Sequence, residues 1–254
     1  IARDKRRMRA RLRDAGLPTP DVHVLEAGDD PARMGAALEY PVVVKPTTLS
    51  GSRGVIRADD PSSFIAAVDR IRQLLASPDV RTSAGHDSGV VQVERYIDGV
   101  EYALEGLLEH GVLRVLAVFD KPDPLEGPYF EETLYVTPPR AAQATEQAIV
   151  AAVAAAARAI GLHHGPIHAE CRVATDGVYV LEVAARPIGG LCARAVRFVR
   201  VGGESPCERV GLEALLIGHA LGEPANGWVR EPEASGVMMI PIPKKGMFRG
   251  VEGV

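Results

Sequence analysis

The chain alternates between stretches of helical and of strand periodicity. Asp4 predicts the cap of a first helix that Gly16 stops, and Leu17-Pro18-Thr19-Pro20 then forces an extended segment. A short helix over 32–39 leads into Pro41-Val42-Val43-Val44-Lys45-Pro46, a β-branched run that reads as a buried strand. After the loop 47–54, Val55–Ala58 reads as a further strand. Asp60-Pro61-Ser62 then opens a helix with Phe64, Ile65, Val68, Ile71, Leu74 and Leu75 at helical spacing. The polar stretch 77–88 reads as a loop and 90–93 as the next strand.

Two alternating segments, 101–109 and 112–120, flank His110-Gly111 and predict an antiparallel hairpin. The segment 121–131 carries three prolines and a glycine and reads as a loop, while the alanine-rich stretch 141–160 is the strongest helix signal. Residues 166–173 and 178–183, joined at Thr175-Asp176-Gly177, predict a second hairpin; a helix is expected over 205–221 and a strand over 236–240. That last strand, with Pro241 and Pro243 after it, reads as entering unfinished structure, so a fragment of a longer protein is expected. Long antiparallel strands mixed with helices define an α+β class.

Composition narrows the function classes. A length of 254 residues suits one large or two smaller domains. Shares of 46% hydrophobic and 24% charged residues exclude a disordered or fibrous chain. With 29 basic and 33 acidic side chains the net charge is −4, which lacks the basic footprint of a nucleic-acid binder. The longest apolar run, Ala148–Ala157, falls well short of the ~20 residues that span a bilayer. Cys171, Cys192 and Cys207 are odd in number and lack C-x-x-C spacing, which fits a reducing, cytoplasmic setting, and no targeting segment is visible.

Three constellations could carry chemistry. Lys45 precedes Ser50-Gly51-Ser52-Arg53-Gly54, where glycines allow backbone N–H groups to approach an anion and the lysine supplies a point charge; an ordinary hairpin turn with an exposed lysine reads equally well. Glu94-Arg95-Tyr96-Ile97-Asp98-Gly99-Val100-Glu101 places carboxylates on both sides of a turn, suited to hydroxyls and a purine edge, or simply solvated. In the second hairpin Glu170 and Glu182 lie at similar distances from the turn. Facing carboxylates in apolar strands repel unless a cation lies between them, and oxygen-only ligation suits Mg²⁺. The alternative is a pair of surface glutamates partnered by Arg172 or Arg186. His163, His164 and His168 lack further ligands at zinc spacing, and the basic helix 4–13 reads as a solvated face from which Lys5 could point inward.

Lys45 before its glycine-rich loop, then E-R-Y-I-D-G-V-E, then G-P-I-H-A-E and L-E-V-A-A-R-P-I-G-G, together with F-D-K-P-D-P-L-E-G-P-Y-F-E-E, resemble the ATP-grasp superfamily in order and spacing. Within it the chain looks most like carboxylate–amine ligases of the L-amino acid ligase and carnosine synthase type. The resemblance implies an α+β ATP-grasp fold gripping ATP between two units. Residues 1–30 would be a linker and helix after a missing N-terminal domain, 31–97 a small lid and 98–254 a large, truncated unit. It assigns Lys5 and Lys45 to the nucleotide phosphates, Ser50, Gly51, Ser52 and Gly54 to the flap, Glu94, Arg95, Tyr96 and Ile97 to adenine, and Glu101 to the ribose. Glu170 and Glu182 would bind one or two Mg²⁺ ions, and Arg186 would steady the reacting carboxylate or acyl phosphate. Glu132 would face the active site, with His168 and Gly189-Gly190 beside the substrates.

The implied partners are small-molecule carboxylate and amine substrates and the N-terminal domain of the same polypeptide; nucleic acid and membrane are not among them, and a homodimer stays open. Ala184 stands where many relatives carry an asparagine ligand, which leaves the metal count open. A biotin-carboxylase-like or nucleotide-biosynthetic ligase shares the same nucleotide features. Ala184 would also suit a degenerate nucleotide-binding module.

Overall fold

A computed structural model describes residues 1–80, 89–201, 209–240 and 246–250. Its first helix, α1 (Lys5–Asp14), starts where the Asp4 carboxylate accepts the Arg7 N–H at 3.0 Å. Met8 and Leu12 face the core, and so do Lys5 and Arg9, only 8% and 2% exposed, so one side of this basic helix is buried and not solvated as expected. Strand β1 (Val22–Leu25) follows, and α2 (Pro31–Gly35) ends earlier than expected. Tyr40 Oη donates to the Gly35 carbonyl at 2.9 Å, and a Cβ on Gly35 would meet Phe64 at 2.9 Å; both favour a stop here.

Strands β2 (Val42–Pro46), β3 (Ile56–Ala58) and β4 (Val91–Arg95) join β1 in an antiparallel sheet of order β1-β4-β2-β3. Helix α3 (Pro61–Ala76), capped by a reciprocal Asp60–Ser63 box, buries Phe64, Val68 and Ile71 against this sheet. Loop residues 81–88 lie outside the described residues.

The second sheet contains both expected hairpins. β5 (Val100–Glu109) and β6 (Val112–Asp120) pair about His110-Gly111, and β8 (Gly165–Ala174) and β9 (Gly177–Ala184) pair about Thr175-Asp176. With β7 (Leu134–Thr137) and β13 (Ser235–Met238) the order is β13-β7-β6-β5-β8-β9. Helix α4 (Gln143–Ala159) lays Ile149, Val153 and Ala156 on Leu104, Ile167 and Val183, in the same core as Met8 and Leu12. A 3₁₀ turn (Cys192–Ala195) leads to a small sheet in which β10 (Arg197–Arg200) lies between β11 (Arg209–Gly211) and β12 (Trp228–Arg230).

The helix expected over 205–221 is therefore shorter: α5 covers Leu212–Ala220, because Arg209–Gly211 pair with β10 as a strand. Residues 205–208 and Cys207 lie outside the described residues, as do Pro241 and Pro243. Among the described residues no helix is long and apolar enough to cross a membrane.

The two larger sheets are joined by Tyr96–Gly99. Gly99 has a φ of 154°, and a Cβ there would clash with the Val173 carbonyl, so the chain passes between the sheets through a position only glycine fills without displacement.

Candidate active site

A cavity of about 220 Å³ lies between the four-stranded and six-stranded sheets. It receives Lys5 from α1; Lys45, Glu94 and Arg95 from the first sheet, with Gly51 and Ser52 from the loop after β2; Tyr96 and Ile97 from the connection; and Glu101, His168, Glu170 and Glu182 from the second sheet, with Glu132, Arg186 and Gly189-Gly190 from adjoining loops. Segments far apart in sequence thus meet in one place. Ser50 and Gly54 do not line this cavity: Ser50 is exposed, and Gly54 turns toward α3, where a Cβ would meet Leu74 at 3.0 Å and Pro46 at 3.3 Å. Gly54 borders a neighbouring hollow of about 710 Å³ instead.

Lys45 sits near the end of β2 with its ammonium 2.5 Å from Glu94 Oε2. Glu94 belongs to the adjacent strand β4 and is 3% exposed; its other oxygen accepts from Arg9 Nε at 2.7 Å and from Gln92 Nε2 at 2.6 Å. Burial pushes the Glu94 carboxyl up, but Arg9 and Lys45 outweigh it and hold the pKa at about 2. Burial moves Lys45 the other way, down to about 8, despite the nearby Glu94. The Glu94 side chain, placed in the adenine-reading linker by sequence, is thus engaged in this ion network, and Arg95, Tyr96 and Ile97 follow it along the cavity wall.

The hairpin β8–β9 brings Glu170 and Glu182 directly opposite each other in register. Each has a lysine in contact: Glu170 with Lys121 at 2.9 Å and Glu182 with Lys5 at 3.5 Å. The Lys5 ammonium also donates to the Leu49 carbonyl, which anchors the start of the glycine-rich loop. Lys121 further contacts Glu101 at 2.7 Å and Glu132 at 3.5 Å and lies 4.9 Å from the centre of the Tyr135 ring. Burial alone would lower its pKa, but Glu170 and Glu101 raise it well above the ordinary lysine value. Among the described residues no third His, Cys, Asp or Glu closes a ligand set around the paired glutamates. Their oxygen-only donor set fits a hard divalent cation whose remaining positions are filled by phosphate oxygens and water.

His168 lies between two carboxylates, Nδ1 3.5 Å from Glu105 Oε2 and Nε2 3.9 Å from Glu170 Oε1. Burial disfavours its charge, yet the two glutamates lift its pKa to about 9, so it is an imidazolium at neutral pH. Glu105 is completely buried, and burial raises its pKa; its Oε2 accepts the Ile188 N–H at 3.0 Å, tying β5 to the loop that carries Arg186 and Gly189-Gly190. Arg186 is exposed at the cavity mouth and donates to the Pro187 carbonyl at 2.8 Å.

Four participants escaped the sequence reading: Arg9, Glu105, Lys121 and Arg172. Arg172 is buried, donates to Glu101 at 3.1 Å and to the Ile97 carbonyl at 2.9 Å, and faces the Tyr96 ring at 5.0 Å, so it holds the connection between the sheets and not the surface glutamates considered for it. Lys121 follows β6 much as Lys45 closes β2, and the lysine-after-strand argument used for Lys45 would have found it. Glu105 had a signal as well, a carboxylate inside the apolar run Tyr102–Leu108. Arg9 had one too, since Lys5, Met8, Arg9 and Leu12 stand at i, i+3, i+4 and i+7 on one helical face, apart from the other basic residues of α1.

Comparison with known proteins agrees with this geometry. Thirty per cent of 190 residues are identical to a D-alanine–D-alanine ligase of Aromatoleum aromaticum, covering 74% of this chain and 57% of that protein. The solved L-amino acid ligase of Bacillus licheniformis superposes with a TM-score of 0.75 at 30% identity, covering 97% of this chain and 57% of the other. The biotin carboxylase domain of the Hydrogenobacter thermophilus 2-oxoglutarate carboxylase shares the fold alone, at TM-score 0.59 and 18% identity over 75% of this chain and 41% of that one. The chain thus spans little more than half the length of the first two relatives. Residues 38–195 match the ATP-grasp domain, and with the cavity between two antiparallel sheets this makes the chain a member of the ATP-grasp family.

Proposed function

We propose that this chain forms the nucleotide-binding and catalytic part of an ATP-dependent carboxylate–amine ligase, which makes an amide or peptide bond on amino acids or similar small metabolites. The observation that carries the reading is the convergence of two lysines, a facing glutamate pair, a histidine and an arginine on one cavity between two sheets. In this reading 31–97 is the lid and 98–254 the larger unit, and the cytoplasm is the setting.

Lys5 and Lys45 bind the nucleotide phosphates, and the backbone at Gly51-Ser52 covers them. Arg95 to Ile97 border adenine, and Glu101, steadied by Lys121 and Arg172, receives the ribose hydroxyls. Glu170 and Glu182 would hold Mg²⁺, which when bound supplies charge neutralisation on the phosphates. Arg186 grips the substrate carboxylate with its planar fork and aligns one oxygen for attack on the γ-phosphorus. The new O–P bond forms as the bond to the β-phosphate oxygen breaks, giving an acyl phosphate and ADP. An amine nitrogen then adds to the acyl carbon, the C–O bond to phosphate breaks, and the amine loses a proton. His168, charged and adjacent to Glu170, stabilises negative charge that develops on the acyl oxygen. Closure of the loop over the cavity excludes water from the acyl phosphate.

Glu182→Gln in the full-length protein tests the reading. Turnover, followed as phosphate release with candidate acids and amines, is expected to fall at least about a hundredfold. Stability should change by less than ~1 kcal/mol, because the Glu182 contact to Lys5 is long and partly exposed. Turnover equal to the parent overturns the assignment.

A further inference from the structure

The Arg9 guanidinium touches both sides of the cavity without entering it. Its Nε and Nη2 lie 2.7 and 3.4 Å from the two oxygens of Glu94, the carboxylate that holds Lys45. Its Nη2 also donates to the Leu181 carbonyl at 2.8 Å, and its Nη1 to the Val180 carbonyl; these are the two residues before Glu182 on β9. Arg9 is 2% exposed, and α1, which carries it, belongs to neither sheet. One planar fork therefore spans from the strand pair that presents Lys45 to the strand that presents Glu182.

A buried guanidinium with these partners does more than join two elements. Were Glu94 to lose Arg9, its carboxylate would have only Lys45 and Gln92 as partners, and the lysine would be drawn toward it as its main countercharge. With Arg9 in place, Glu94 is already compensated, and the Lys45 ammonium keeps donors for an anion in the cavity. We propose that Arg9 is a positioning residue: by sharing Glu94 with Lys45 and anchoring β9, it sets where the Lys45 ammonium stands relative to Glu182 and keeps that ammonium available to phosphate. This rests on the reading that Lys45 binds nucleotide phosphate.

The test is a double-mutant cycle in the full-length protein with Arg9→Met, Lys45→Ala and the pair. Calorimetry measures binding of a nonhydrolysable ATP analogue and, separately, of adenosine, which has no phosphate. Arg9→Met is expected to weaken the analogue about tenfold while adenosine binding stays constant, and to add little once Lys45 is already alanine. Arg9→Lys, which keeps the charge and loses the fork, is the second variant; it is expected to retain more stability than Arg9→Met yet bind the analogue more weakly than the parent, with adenosine binding kept. Parallel losses for adenosine and analogue, full additivity with Lys45→Ala, or parent-like analogue binding by both Arg9 variants would overturn the proposal. Failure of the underlying reading looks different: the parent would bind no analogue, or Lys45→Ala alone would leave binding unchanged.

Discussion

Lys45 and Lys121 are the same side chain in nearly the same burial, 6% and 5% exposed, each at the end of a strand beside the cavity. Their electrostatics are nonetheless opposite. Lys45 has a single carboxylate, Glu94, and shares it with Arg9, so burial prevails and its pKa falls to about 8. Lys121 has three, Glu101, Glu132 and Glu170, and its pKa rises well above the ordinary value. Burial lowers both lysines, and the charges around each decide whether it is outweighed: one carboxylate beside Arg9 and Lys5 at Lys45, three carboxylates at Lys121. The region around Lys45 is a cation-rich wall suited to receive an anion. The region around Lys121 is an acidic cluster neutralised from within, and its lysine keeps three glutamates together beside the cavity.

Removing the cation from the acidic cluster breaks this contrast most severely. Lys121→Met leaves Glu101, Glu132 and Glu170 close together, with Arg172 and His168 the remaining cations in reach. A loss of about 4 kcal/mol is expected in urea denaturation, the usual cost of removing one partner from a buried ion cluster. Recovery in Lys121→Arg, and a smaller loss when Glu132→Gln is combined with Lys121→Met, would sharpen the assignment to charge crowding.

The acid limb of the stability profile reports on the other region. The Glu94 carboxyl is held at about 2 in the folded protein against an ordinary value of 4.5. A lowered carboxyl pKa adds stability that is complete above pH 4.5 and is lost as pH falls toward 2. That contribution is on the order of 3 kcal/mol. Glu94→Gln should flatten stability across this window, measured by denaturant titration at a series of pH values; an unchanged slope would remove Glu94 as its source.

An effect of similar size lies on the alkaline limb, where the lysines pull apart. Lys45 falls from its ordinary 10.5 to about 8, so between those values the unfolded chain binds more protons and stability rises with pH. Lys121, with its raised pKa, contributes stability that is complete below 10.5 and lost only at higher pH. Lys45→Met should therefore remove an upward contribution on the order of 3 kcal/mol between pH 8 and 10.5. The difference between parent and variant isolates Lys45 from His168, Cys171 and the tyrosines, whose raised pKa values pull the parent profile downward in the same range; an unchanged slope in Lys45→Met would contradict the comparison.

Only the Lys45 side of this contrast was legible before folding. Lys45 stood out because a lysine near the end of an apolar strand, followed by glycines, is poised for an anion, and Glu170 and Glu182 because their similar distances from the turn at Asp176 let them face each other; the register bears out that pairing, through a β-bulge between Glu170 and Cys171 that the turn alone does not supply. The long hairpins, α3 and α4 carried clear periodicity. Strands β1, β7, β10 and β12, three or four residues each, were too short to show a period, and Arg209–Gly211 read as the start of a helix until β10 paired with them. Ser50 and Gly54 belong to the loop motif by spacing, but spacing does not say which of its residues face inward.

Local patterns by themselves determined the long hairpins, α3 and α4, the α+β class and the family resemblance, because each depends on neighbours in one strand, turn or motif, whereas the exact meeting of Glu170 and Glu182 needed the bulge in β8. Tertiary structure alone decided which charges share a partner. Arg9 reaches Glu94 across 85 positions and Lys121 reaches Glu170 across 49. No periodicity encodes such meetings, since a side chain's protonation and role depend on the charges and water that the folded sheets place around it.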